Sequence, residues 1–243
     1  MANVPTGAGS SLVATPEQLE KIGVLAAGMV EPGQRVGLGS GRAALAFVRA
    51  LGARVRREGL KIVGLPTSLL TEQVAREAGI PLGTLEEIDA LEIAVDGADE
   101  VDPDFNLIKG GGGNLTREKI IEVLARRLII VVGQEKMVEH LGTNFPVFVE
   151  VVEFGRPMIT RKLQAMGGHV EQRRNADGSV FMTDNKNPYL MVRFGPPPHH
   201  ISDPVGLAQA IRTLPGVVEM GLFVDMADEV LVARFDGTVE YRR

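Results

Sequence analysis

Through its first half this chain alternates short apolar strands with helices, and that rhythm restricts the fold more than any other feature. Residues 16–30 carry a helical pattern, with Thr15 as N-cap and Pro16 in the first helical position. A strand from Gln34 to Leu38 follows, then a glycine-rich turn and a helix from about Gly41 to Glu58. KIVGL and LEIAVD read as buried strands on either side of the helical stretch TEQVAREAG. A helix from near Leu115 to near Arg127 leads into the strand LIIVVG. Strands separated by helices of this length pair in parallel and are covered on both faces.

From about Asn144 the rhythm changes. PVFVEVV, PMITRKLQAMG, GHVEQRR, YLMVRF, DPVGLAQAIRTL and GVVEMGLF read in turn as strand, helix, strand, strand, helix and strand. That βαββαβ order is the split βαβ of a ferredoxin-like domain. The closing segment, DEVLVARFDGTVEYRR, reads as two strands joined by an Asp-Gly turn and is expected to pack back on the first domain. The fold class is therefore α/β: a parallel-sheet, Rossmann-like domain over 1–143 and 223–243, with a smaller ferredoxin-like α+β domain over 144–222.

A net charge of −5 gives no global attraction for nucleic acid or an anionic membrane, so an anionic ligand needs a local site. With no cysteine there is no disulfide framework, thiol nucleophile or cysteine metal cage, which fits a reducing compartment. The opening MANVPTGAGSSLVATPEQ has neither the basic nor the apolar region of a signal peptide. No apolar run approaches the roughly 18 residues of a membrane helix. Cytoplasm is the expected compartment.

Four polar segments fall where strands of the first half end, the place where open α/β sheets bind ligands. GLGSGRAA (residues 37–44) can turn sharply and offer helix-start N–H groups to a phosphate. Its Gly39-Ser40-Gly41-Arg42-Ala43-Ala44 also satisfies a dinucleotide fingerprint, but the next strand, KIVGL, runs into PTS without the acid that would bind ribose. A purely structural glycine turn is the remaining alternative. Pro66-Thr67-Ser68 with Thr71 supplies hydroxyls for a ligand or, equally well, a helix cap. In DGADEVD, Asp96 and Asp99 flank Gly97 and Ala98; neighbouring carboxylates raise one another's pKa and can shuttle protons. A magnesium site or a plain surface turn fits the same residues.

The fourth segment is KGGGGNLTREK, residues 109–119. Consecutive glycines are costly to order. They let backbone press against a ligand and present N–H groups to a developing oxyanion. Lys109 adds a positive charge, and Glu118 falls in the first turn of the next helix, favoured there by the macrodipole; it could equally be a capping partner. Proton abstraction beside a carbonyl needs a carboxylate base, an electrophile for the enediolate oxygen and an anion grip. All three are present, whereas GxSxG, Walker and HExxH motifs are absent, and the four histidines lie outside these segments.

Taken in order, GLGSG, PTS with Thr71, DGADEVD, KGGGGNLTREK, VVGQEK, PVFVEVV and LPGVVEMGLF resemble the type A ribose-5-phosphate isomerase family along nearly the whole chain. The resemblance implies interconversion of ribose 5-phosphate and ribulose 5-phosphate through an enediolate, in the non-oxidative pentose phosphate pathway, without metal or cofactor. It implies that Glu118 carries the proton between C1 and C2. It further implies substrate contacts from Ser40, Gly41, Arg42 and Ala43, from Asp96, Gly97, Ala98 and Asp99, from Lys109, Gly110, Gly111 and Gly112, and from Lys136. Asp96, Asp99 and Lys109 join Glu118 as expected catalytic groups, the partner is a small sugar phosphate, and the assembly is a homodimer or homotetramer. The first loop departs from the family's usual GTGST: Arg42 and Ala43 stand where hydroxyls are the rule. GQEK replaces the usual ending of the last motif but keeps Lys136. A sugar-phosphate sensor without catalysis and a CoA-transferase-like enzyme are the competing readings of the same sheet. The sensor would have no use for a base at Glu118.

Overall fold

A computed structural model describes residues 13–243, which form two compact units, each made of separate pieces of chain. The α/β unit comprises the described residues up to Ala98 with Arg117–Lys136 and Met226–Arg243. The α+β unit comprises Asp99–Thr116 and Met137–Asp225. Most of the opening stretch read for a signal peptide lies outside the described residues.

In the α/β unit six strands stand in the order Val239–Arg242, Glu229–Ala233, Leu128–Gly133, Ile93–Asp96, Arg35–Leu38 and Val63–Pro66. Neighbours run parallel except at the Val239–Arg242 edge, which closes an antiparallel hairpin through Gly237 at φ 83°. Ile93–Asp96, Leu128–Gly133 and Glu229–Ala233 are buried at every position, as continuous apolar runs in a parallel sheet should be. Their alternate residues Val95, Ile129 and Val131 meet Ile22, Phe47 and Leu51 of the helices Pro16–Gly28 and Gly41–Glu58 in one core. The first helix opens on a capping box between Thr15 and Gln18, and the second stops at Gly59 in the left-handed conformation.

The helix after the glycine run ends at Glu122, short of the expected Arg127. Leu91 takes its next backbone groups: its N–H donates to the Leu124 carbonyl and its carbonyl accepts from Arg126 N–H. A sheet-like bridge at Ala125 thus wins over another helical turn.

The α+β unit holds an antiparallel sheet in the order Val217–Met220, Val147–Val151, Tyr189–Phe194, Gly168–Gln172, with helices Arg156–Ala165 and Pro204–Arg212. Chain order and strand order together make the expected βαββαβ arrangement. A second, three-stranded antiparallel ribbon joins Leu222–Phe223, Leu107–Ile108 and Glu100–Val101. Residues 99–116, 137–143 and 223–225 fall in this unit, whereas the sequence alone places them with the parallel sheet.

Candidate active site

In the α/β unit the strand order reverses about Arg35–Leu38, which has Val63–Pro66 on one side and Ile93–Asp96 on the other. Such a reversal opens a crevice at the strands' carboxyl ends. There Gly39 passes so close to Asp96 that a Cβ on it would lie 2.3 Å from the carboxylate, so only glycine fits. Asp96 is buried, and its Oδ1 accepts the backbone N–H groups of Ser40 at 2.8 Å and Gly97 at 2.7 Å. Two such hydrogen bonds fix the direction of the side chain.

The Ser40 hydroxyl points into a buried group of hydroxyls, with Thr67, Ser68 and Thr71 at 2.8, 2.9 and 3.1 Å. Ser68 also caps the helix Leu69–Glu77 through Thr71 N–H at 3.0 Å, so the hydroxyls of the second segment act in capping and in holding Ser40. Ser40 makes no side-chain cap bond to the helix Gly41–Glu58, whose first-turn N–H groups carry the positive end of the helix dipole. Arg42 is exposed in that first turn, its Nη2 donating to the Ala14 carbonyl at 3.3 Å, and Ala43 beside it is half-buried. Glu118 is buried in the first turn of Leu115–Glu122, and Lys136 ends the short 3₁₀ turn that follows the strand Leu128–Gly133.

In the α+β unit the Asp99 carboxylate and the glycine loop hold one another. Oδ2 of Asp99 accepts the Gly111 N–H at 2.7 Å, and a Cβ on Gly111 would sit 2.7 Å from Oδ1. Gly110, at φ 116°, lies against Leu115, the Tyr189 hydroxyl and Phe148; its carbonyl accepts Gly113 N–H at 2.9 Å. Lys109 is buried, with Nζ 5.4 Å from the centre of the Phe223 ring. Glu100 is buried too and accepts backbone N–H groups from Gly142, Asn144 and Phe145; burial pushes its carboxyl up despite those bonds.

The structure thus brings Ser40 to Asp96 in one unit, and Asp99 to Gly111 beside Lys109 in the other. Sequence reasoning missed the layer under the glycine loop: Phe148, Glu150, Arg173, Phe181 and Tyr189. Buried Arg173 stacks 4.0 Å over Phe181, and desolvation pulls its guanidinium below the usual value. The available signal was Glu150, a lone charge inside the apolar run PVFVEVV. Among the described residues no three histidine, aspartate or glutamate side chains converge as a metal ion requires, and no helix is long and apolar enough to cross a membrane.

Residues 63–237 match the family described as ribose 5-phosphate isomerase A (phosphoriboisomerase A). The ribose-5-phosphate isomerase A of Synechococcus sp. (strain JA-3-3Ab) is 43% identical over 95% of this chain and 100% of its own length. That of Thermosynechococcus vestitus is 46% identical, over 94% of this chain and 97% of its own. Among solved structures, ribose 5-phosphate isomerase A from Methanocaldococcus jannaschii superposes with a TM-score of 0.88 at 37% identity, covering 95% of this chain and 100% of that one. A D-ribose-5-phosphate isomerase in complex with phospho-erythronic acid superposes with a TM-score of 0.89 at 35% identity, covering 96% and 100%.

Proposed function

Because this chain belongs to the ribose 5-phosphate isomerase A family, we propose that it interconverts D-ribose 5-phosphate and D-ribulose 5-phosphate, acting in the non-oxidative pentose phosphate pathway. The observation that carries the reading is the pair of carboxylates in one DGAD segment, each held by a backbone N–H of a glycine-rich loop: Asp96 by Ser40, with Gly97 of its own segment adding a second, and Asp99 by Gly111.

In the reaction Glu118 takes the proton from C2 of the open-chain aldose and returns it to C1 of the enediolate, which restores the carboxylate; the opposite reaction uses the same base from C1 to C2. Its two-carbon shuttle needs no redox partner, because the electrons move within the substrate. Negative charge collects on the carbonyl oxygen as the proton leaves. Lys109 and the N–H groups of Gly110 and Gly112 supply the charge and dipoles that stabilise it, while the Gly111 N–H keeps Asp99 beside the substrate. Asp96 and Asp99 move protons to and from the sugar hydroxyls. The uncapped start of Gly41–Glu58, with Gly41, Arg42 and Ala43, receives the phosphate dianion, and Lys136 adds a second positive charge.

The further reading is of a cytoplasmic homodimer or homotetramer. Its substrate is a doubly charged sugar phosphate, which does not cross a bilayer unaided. Self-association through the α+β unit would bury Phe154, 98% exposed, and its exposed neighbour Val152. Purified protein should convert ribose 5-phosphate to ribulose 5-phosphate, and prolonged EDTA treatment should leave the rate unchanged. No conversion of either pentose phosphate would overturn the isomerase, and activity restored only by magnesium or manganese would overturn its metal independence.

A further inference from the structure

Glu150 sits in the strand Val147–Val151 with no exposed surface, among valines that want an apolar core. A carboxyl group there is costly unless hydrogen bonds replace its water. Four neutral donors do so. Oε2 accepts from the Thr116 hydroxyl at 2.6 Å. Oε1 accepts from the Thr183 hydroxyl at 3.0 Å, Asn187 Nδ2 at 2.8 Å and Asn185 Nδ2 at 3.2 Å.

The donors come from two places, and each has a structural meaning. Thr183, Asn185 and Asn187 belong to one tight turn. The Thr183 hydroxyl accepts the N–H groups of Asn185 and Asn187 at 3.2 and 3.3 Å, and Lys186 takes a positive φ of 62°. Thr116 stands in the first turn of Leu115–Glu122, three residues past Gly113. Glu150 is therefore a link between that turn and the exit of the glycine loop.

The same strand supports the loop's other end. Phe148 shares a face with Glu150 by the two-residue period of a strand. A Cβ on Gly110 would meet Phe148 at 3.1 Å and the Tyr189 hydroxyl at 2.9 Å, and Tyr189 is the register partner of Glu150. Gly113 rests on Phe181, which a Cβ would approach to 2.5 Å. The loop is thus seated on rings at Gly110 and Gly113 and pinned by two carboxylates, Asp99 at Gly111 and Glu150 at the exit, Thr116. Rings set how deep a loop lies but leave it free to slide, whereas a hydrogen bond to a buried carboxylate fixes it along the chain.

We infer that Glu150 is a positioning residue for the oxyanion-binding glycine loop, acting through its hydrogen bond to Thr116. This rests on the isomerase reading for its effect on catalysis, though not for its effect on the loop. N–H groups aimed at a developing oxyanion act mainly in the transition state, so a displaced loop lowers kcat more than it raises KM.

Four variants separate this role from plain structural support. Glu150→Ala removes the link, and Thr116→Val cuts it on the loop side alone. Thr183→Val cuts it on the turn side alone. Glu150→Gln can keep every contact, its oxygen accepting from Thr183, Asn185 and Asn187 while its amide donates to the Thr116 hydroxyl. Glu150→Ala and Thr116→Val should lose about tenfold or more in kcat with KM changed by less than about threefold, the scale of a small misplacement. Glu150→Gln should restore kcat to within about threefold of the parent, and Thr183→Val should melt at a lower temperature while keeping kcat in that same range. Amide hydrogen exchange over residues 110–116 should speed up in Thr116→Val and stay at the parent rate in Glu150→Gln. That readout needs no turnover: a parent protein inactive on both pentose phosphates would sink the isomerase reading, while exchange would still judge the link. Thr116→Val with parental kcat and parental exchange would overturn the inference, as would Thr183→Val losing as much kcat as Thr116→Val. If Glu150→Ala fails to fold, Thr116→Val and Glu150→Gln decide the matter by the same criteria.

Discussion

The Ser40 N–H donates to Oδ1 of Asp96 at 2.8 Å, so the loop that ends one strand is held by the carboxylate that ends its neighbour. Asp96 therefore has two separable duties, a backbone anchor and a proposed proton carrier. Asparagine keeps an oxygen where Oδ1 stands and can accept the same N–H groups from Ser40 and Gly97, but it cannot carry a proton. Asp96→Asn is expected to melt close to the parent and to lose about 10²-fold in kcat, the usual worth of a general acid–base group. A folded variant with parental kcat would leave Asp96 as an anchor only.

Glu92 and Arg35 make the clearest pH-dependent contribution to stability. The guanidinium and the backbone N–H of Arg35 both donate to the Glu92 carboxylate, at 2.7 Å each, and these bonds lower its pKa from 4.5 to about 2. A carboxyl depressed in the folded state stabilises above its unfolded pKa, and that contribution fades as pH falls from 4.5 towards 2. Glu92→Gln should thus cost on the order of 1 kcal/mol at pH 7, a figure that allows for partial exposure of the pair. Urea titrations across acid pH should show the two proteins converging. A gap that persists unchanged near pH 2 would mean that the loss is one of packing rather than of charge.

How much of this was legible in the sequence depends on what produced each feature. Continuous apolar runs such as LIIVVG and IAVD announce parallel strands because both faces are covered, and glycines fall where backbone crowds a carboxylate, as at Gly39 and Gly111. Two-residue strands announce nothing: Glu100–Val101 and Leu107–Ile108 are too short for a period, so their place in the α+β unit was invisible. The end of the helix at Glu122 was likewise set by a distant partner, Leu91, rather than by a local stop signal. Hydroxyls at Thr67 and Ser68 could not be sorted between ligand and cap without seeing them close around Ser40. Glu150 was visible as an oddity but not as a link, since its donors lie 33 to 37 residues away in either direction.

Glu118 is buried in the first turn of its helix, a setting in which the dipole offsets part of the cost of a buried carboxylate. Glu118→Gln keeps the shape and removes the basicity. Turnover should fall by about 10²-fold or more with the melting temperature little changed, because general base catalysis is worth at least that much. Solvent deuterium incorporated at C1 of the product should fall in the same proportion. Near-parental turnover in a well-folded Glu118→Gln protein would move the base elsewhere.

Arg42 stands where a hydroxyl is the rule for this loop, and the structure gives it a light duty: one Nη2 bond to the Ala14 carbonyl at 3.3 Å. Its remaining donors and the first-turn N–H groups of Gly41–Glu58 can share one phosphate dianion. A contact so far from the reacting carbons acts chiefly on binding. Arg42→Ala should raise KM for ribose 5-phosphate about tenfold or more, in line with a charge-assisted hydrogen bond of roughly 1.5–3 kcal/mol. Any slow turnover of unphosphorylated ribose should be untouched, because that substrate never met the guanidinium. Arg42→Ser combined with Ala43→Thr should recover much of the lost affinity by returning the usual hydroxyls. An unchanged KM in Arg42→Ala would move the phosphate grip away from this residue. Lys21, whose Nζ donates to the Gly237 carbonyl at 2.6 Å, and Lys136 would be the next cations to mutate.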